Sequence, residues 1–104
     1  MNNFTIIYRI LKTLNTALDC PEPDMTRISA EQLGISPIKR DNILRLMQEE
    51  GLIRELGITG YFDGVHYVDD SQVHITFAGM QYLQENSMMK KAANLAKGIA
   101  DTIL

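Results

Sequence analysis

The sequence predicts an α+β domain in which a three-helix core runs into a small antiparallel β-sheet and then a further helix. Three observations carry that reading. Residues 28–53 read as a short capped helix, a tight turn and a longer amphipathic helix that stops at a glycine before an apolar strand. Residues 52–75 then supply β-branched and aromatic strand material punctuated by Gly57, Gly60 and Gly64. Upstream, Phe4, Ile7, Ile10, Leu11, Leu14, Ala17 and Leu18 recur at three- and four-residue steps, with Thr5, Arg9, Lys12, Thr13 and Asn15 between them. The middle of the chain is thus a helix-turn-helix unit leading into a wing.

Helix one ends before Pro21, since Asp19-Cys20-Pro21-Glu22-Pro23-Asp24 is a turn-rich connector whose prolines bias their predecessors away from helix. A very short extended piece is expected at Met25 to Ile28. Ser29 then caps helix two, Gln32 can complete a capping box, and Leu33-Gly34-Ile35 breaks it. Ser36 caps helix three, with Pro37 at the first helical position, where its missing N–H costs nothing. That helix, Pro37 to Glu50, places Ile43, Leu46 and Met47 inward with Leu44 at the margin, and Gly51 stops it. Leu52 to Leu56 begins the sheet, Tyr61-Phe62 and Val65 to Val68 continue it, Asp69-Asp70-Ser71 is the expected hairpin tip, and Val73-His74-Ile75 returns. Thr76 caps a fourth helix with Phe77, Met80 and Leu83 as its core stripe and Gly79 as a close contact, ending near Asn86.

The last segment, from Ser87 as cap, is amphipathic. Projected at 100° per residue, Met88, Ala92, Leu95, Ala96, Ile99 and Ile103 fall within one apolar half-circle, with Lys90, Lys91 and Lys97 on the other side. Small alanines through the middle of the arc allow close helix–helix approach, so this face is expected to pack on helix one, to form a homodimer, or both. A membrane-surface role would want Trp or Phe on the apolar side and a more basic polar side.

Length and composition frame the rest. A chain of 104 residues with 45% hydrophobic content can close one modest core, so residues 1–104 are expected to form a single domain, with 1–86 as its core and 87–104 as the added helix. Cys20 cannot form an internal disulfide and lacks basic neighbours that would activate it. No apolar run approaches the ~20 residues of a membrane span, and Arg9 and Lys12 interrupt anything resembling a signal peptide. A cytoplasmic protein without a membrane segment is the expectation. The formal charge is -3, and the acidic excess sits in residues 53–86, the wing part of the chain, where Arg54 is the one basic residue against Glu55, Asp63, Asp69, Asp70 and Glu85.

Ile28 to Pro37, followed by Ile43 to Ile53, resembles the helix-turn-helix of winged-helix proteins, including the passage from recognition helix through Gly to Leu-Ile as first wing strand. Residues 62–71, then Ile75-Thr76-Phe77-Ala78-Gly79-Met80-Gln81-Tyr82-Leu83-Gln84-Glu85-Asn86, resemble the small YjcQ-like family of bacteria and their prophages. The resemblance covers most of the chain. It implies a winged-helix fold of about this size and a phage-linked origin, and it carries no particular activity with it.

In a DNA reader of this shape, the amino-terminal half of helix three enters the major groove, and that is where Ser36, Lys39, Arg40, Asn42 and Arg45 lie. Arginine can bond guanine and asparagine adenine, while Lys39, the serine hydroxyl and the helix amino end can hold phosphate. Against this stand an ordinary Asp41–Arg45 surface pair and the acidic wing, which offers carboxylates where a phosphate grip wants Lys or Arg. His66 and His74 are too few for zinc, and neither a phosphate loop nor a nucleophile motif is present, so no metal, cofactor or catalysis is expected. The expected role is non-enzymatic DNA binding or regulation with double-stranded DNA as partner. The alternative is a protein-interaction or phage structural module with the same fold.

Overall fold

The computed structural model describes residues 2–62 and 65–86. Within them the chain runs α1 (Asn3–Ala17), a 3-10 helix (Met25–Ile28), α2 (Ala30–Leu33), α3 (Pro37–Glu49), β1 (Ile53–Arg54), β2 (Gly57–Phe62), β3 (Val65–Asp69), β4 (His74–Ile75) and α4 (residues 77–86). This is an α+β arrangement with small antiparallel sheets, compatible with a winged-helix layout. The amphipathic segment 87–104, with its face of Met88, Ala92, Leu95, Ala96, Ile99 and Ile103, lies outside the described residues.

The Asn2 side chain starts α1 by accepting from the Thr5 amide at 2.8 Å. The amides of Leu18, Asp19 and Cys20 close it on carbonyls three residues back. The buried stripe is Ile6, Ile10, Leu11 and Leu14, which corrects the expected one at both ends. Phe4 and Leu18 are exposed, Leu18 because it stands beyond the last helical residue. Ile6 is buried in their place, in line with Ile10 and Leu14 at four-residue steps.

The expected extended piece at Met25 is instead the 3-10 helix. Asp24 drives the difference: its carboxylate accepts from both the Thr26 amide (3.1 Å) and the Thr26 hydroxyl (2.5 Å), starting a helical turn that drops Ile28 into the core. Ser29 caps α2 through the Gln32 amide, and Ser36 caps α3 through the Lys39 amide with Pro37 behind it. On α3 the margin is the reverse of the expectation, with Leu44 fully buried beside Ile43 and Met47, and Leu46 exposed.

Gly51 ends α3 in the left-handed region at φ 75. Its amide donates to the Gln48 carbonyl and the Leu52 amide to Met47, so the chain reverses straight into β1. β1 pairs only with β4 (Ile53 with Ile75, Arg54 with His74). Glu55, at φ 63, turns the chain out of β1. Beyond it, Gln48 holds Leu56 from α3, accepting its amide at 2.8 Å and donating to its carbonyl at 3.3 Å.

β2 and β3 form a separate antiparallel pair, from Gly57 opposite Asp69 to Phe62 opposite Val65, with a shift of register between Ile58 and Gly60. The hairpin therefore closes between Phe62 and Val65, and the expected tip at Asp69-Asp70-Ser71 is corrected to the opposite end, where β3 turns towards β4. In the sequence, Asp63-Gly64 is one of the dipeptides favoured in two-residue hairpin loops.

Thr76 ties these parts together. Its amide donates to the Leu52 carbonyl (3.1 Å), its hydroxyl donates to the Gly51 carbonyl (2.5 Å) and accepts from the Gly79 amide (3.0 Å). α4 thereby sits so close to the sheet that a Cβ on Gly79 would stand 2.3 Å from the Leu52 carbonyl oxygen and 2.7 Å from Ile75 Cγ1. Leu83 follows Gly79 inward, but Phe77, 74% exposed, and Met80 face out, so the expected stripe of α4 is right only at Leu83. The close contact expected at Gly79 is the one that sets how α4 sits on the sheet.

Two outcomes check this junction in urea denaturation. Gly79→Ala should destabilise by about 1–3 kcal/mol through overpacking against backbone that has no room to move. Thr76→Val should cost about 1–3 kcal/mol, because it leaves the Gly51 carbonyl and Gly79 amide without their partner.

Candidate nucleic-acid interface

α3 presents its inner side, Ile43, Leu44 and Met47, to the core. Its outer side consists of Ile38, Lys39, Asn42, Arg45, Leu46 and Glu49, which share one half of the helix at 100° per residue. Among the five residues expected to meet DNA, Ser36 stands at the amino end, with its hydroxyl already accepting from the Lys39 amide at 3.1 Å. Lys39 and Asn42 are exposed. Arg45 is half-buried, and its NH2 group donates to Asn42 Oδ1 at 2.8 Å. That contact replaces the expected Asp41–Arg45 pair and holds the two polar side chains together one turn apart.

Arg45 Nε is shielded from solvent and, among the described residues, donates to no acceptor. A buried donor of this kind costs free energy unless something accepts from it. The guanidinium is therefore fixed at one end by Asn42 and unsatisfied at Nε.

Arg40 faces the other way. Its Nε donates to the Ile28 carbonyl at 3.0 Å, its NH1 pairs with Asp41 at 3.0 Å, and its NH2 pairs with Asp70. With 13% of its side chain exposed, it joins the end of the 3-10 helix, the start of α3 and the turn between β3 and β4. Of the five residues, Lys39, Asn42 and Arg45 are brought together on the solvent side with Ser36 at their head, and Arg40 is not.

The same contact changes the electrostatics of the wing. Asp70 spends its charge on Arg40, and Asp69 accepts from the Ser71 amide at 2.9 Å, which together with the Ser71 hydroxyl lowers its carboxyl below the usual range. Asp63 lies outside the described residues. His74 is exposed, with Nδ1 3.4 Å from the Gln72 carbonyl oxygen. Among the described residues, no group of His, Cys, Asp and Glu is arranged to hold a metal ion, and no helix is long and apolar enough to cross a membrane.

Sequence reasoning missed the Arg40–Asp70 contact, which joins residues 30 apart and leaves no trace in local pattern. It also missed that Leu46 joins Ile38 on the exposed side of α3. Ile38 at 58% and Leu46 at 57% exposure flank Asn42 and Arg45.

The structure defines a small α+β protein whose third helix offers a mixed cationic, amide and apolar face to solvent. The chain belongs to the YjcQ protein family, whose description fits residues 8–102. No curated protein and no solved structure matches it.

The Arg40 fork is testable by replacement. Arg40→Lys should lose about 1.5–3 kcal/mol of stability in urea denaturation, since an ammonium cannot serve three acceptors in the guanidinium plane. Asp70→Asn should lose less, keeping one acceptor in place.

Acid should act through Asp24 and Asp69. The Thr26 hydroxyl and amide hold the Asp24 carboxyl below its usual range, as the Ser71 amide and hydroxyl do for Asp69. A carboxyl depressed in the folded state contributes stability above its unfolded pKa, about 3.9, that is lost as pH falls through the folded value. The urea midpoint should thus hold between pH 7 and about 5 and decline below about 4. Asp24→Ala and Asp69→Ala should each lower the neutral plateau and make that acid limb shallower.

Proposed function

We propose that this is a non-enzymatic, cytoplasmic winged-helix protein of phage or prophage origin that binds double-stranded DNA through the outer face of α3. The observation that carries the reading is the grouping of Lys39, Asn42 and Arg45 on the solvent side of the first turns of α3, behind the capped amino end at Ser36. An amino-terminal half of this composition suits the major groove: Asn42 and Arg45 have the donor geometry for adenine and guanine edges, and Lys39 and Ser36 reach phosphate. Arg45 supports it as a guanidinium held in place on that face by Asn42. Arg40 acts as the strut that sets the height of α3 rather than as a contact. Residues 1–104 work as one domain, and pairing of two copies through Met88, Ala92, Leu95, Ala96, Ile99 and Ile103 would suit a two-fold operator.

The second reading is a protein-interaction module on the same helix face. Ile38 and Leu46 favour it, since two exposed apolar side chains beside a mixed polar patch are what a protein partner buries.

The deciding measurement is fluorescence anisotropy with a random-sequence duplex pool, titrated from low to physiological salt, followed by sequencing of the retained DNA. Binding should weaken steeply with salt and enrich a motif. Asn42→Ala and Arg45→Ala should each cost about 1–3 kcal/mol of specific binding with the urea midpoint little changed. Absence of retention at low salt removes the DNA reading, and sensitivity of a protein complex to Ile38→Asp rather than Arg45→Ala would establish the second.

A further inference from the structure

A groove of about 680 Å³ runs between the second half of α1 and the connector at residues 23–27, away from the α3 residues discussed above. Its walls carry cations on both sides. Arg9 and Lys12 come from α1, three residues and so about 4.5 Å apart along the axis, and Arg27 comes from the end of the 3-10 helix. All three are exposed, in a chain whose formal charge is -3. Arg9 also reaches the Gln32 carbonyl at 3.4 Å, which holds its guanidinium at the rim. The lining also includes Thr16, the half-buried Ala17 and Pro23.

We propose that this groove binds an acidic segment of a protein partner, with Arg9, Lys12 and Arg27 taking its carboxylates and Ala17 and Pro23, which also line it, taking a small apolar side chain. Charge complementarity selects the class of ligand, and the shape and lining select a peptide over a nucleic acid. No aromatic ring lines the groove to stack a base. Asp24 also sits on the rim, its carboxylate engaged by Thr26, and would repel a continuous phosphate backbone while tolerating a peptide with spaced carboxylates. A concave groove of this size accepts a few residues of extended chain and cannot seat the convex surface of a duplex. The inference stands apart from the DNA reading and survives its failure, since it uses none of the α3 residues.

The test is fluorescence anisotropy of the whole chain with a fluorescein-labelled octapeptide of alternating Glu and Ala, alongside the same peptide with Lys for Glu and an eight-nucleotide oligo(dT). The Glu-Ala peptide should bind at low salt and weaken as salt rises, and the Lys-Ala peptide should not bind. Lys12→Glu combined with Arg27→Glu should weaken binding at least about tenfold. Should that pair perturb folding, the single changes Lys12→Gln and Arg27→Gln, both at exposed positions, should each weaken it with the urea midpoint unchanged. Asp24→Asn should tighten it, and Arg45→Ala should leave it alone. No binding of the Glu-Ala peptide at low salt, or binding indifferent to Lys12 and Arg27, overturns the proposal. Oligo(dT) bound as tightly as the peptide would overturn it in favour of a single-strand groove.

Discussion

The tightest constraint in the molecule is the approach of α4 to the chain leaving α3. Gly51 is left-handed where the Leu52 and Gly51 carbonyls turn towards β4, and Thr76 donates to both, from its amide and its hydroxyl respectively. The same hydroxyl then accepts from the Gly79 amide and so starts α4, whose third residue has space for nothing larger than hydrogen against the Leu52 carbonyl. Three backbone segments are held within hydrogen-bond reach by one threonine side chain and two glycines. Such a junction satisfies polar groups that burial would otherwise leave unpaired, at an end of α3 where the last carbonyls lack helical partners.

Everything the candidate interface does follows from how α3 is gripped. At its carboxyl end the junction and the Gln48 clamp on Leu56 fix it to the sheets. At its amino end Arg40 fixes it to Ile28 and to the β3–β4 turn. Held at both ends, the helix has little freedom to roll, so its outer row is presented at one angle. Pre-organisation of this sort suits recognition, because the ordering cost has been met in folding. It also divides the acidic and basic groups differently from their sequence positions: Asp70 answers Arg40 internally, while Lys39 remains in solvent.

The candidate site was legible in the sequence where it depends on local rules. Ser36 as cap, Pro37 at the first helical position and the outward positions of Lys39, Asn42 and Arg45 all follow from capping chemistry and a 3.6-residue period, and the structure has them so. Arg40 shows where those rules stop. At 100° per residue it falls between Met47 and Leu44 on the buried side of α3, so the period places it inward, but nothing in its neighbourhood announces an aspartate 30 residues away. The apolar positions tell the same story from the other side. Hydrophobicity alone nominated Phe4, Leu46, Phe77 and Met80 as core, and all four are exposed, because a wheel ranks residues by type and only the neighbouring elements decide which arc is covered.

What the sequence by itself determined is the order of elements and most of their ends, since helix caps, the left-handed stop at Gly51 and the strand composition act over a few residues. It also determined the family, through a pattern that runs along nearly the whole chain. Tertiary structure decided which residues at the margins of each apolar face are covered, the two-sheet pairing that sets β1 on β4 and β2 on β3, and the pairing of Arg40 with Asp70. The physical reason is range. Backbone propensities and caps are satisfied locally, whereas strand partners, ion pairs and close glycine contacts are chosen only when distant segments compete for the same space.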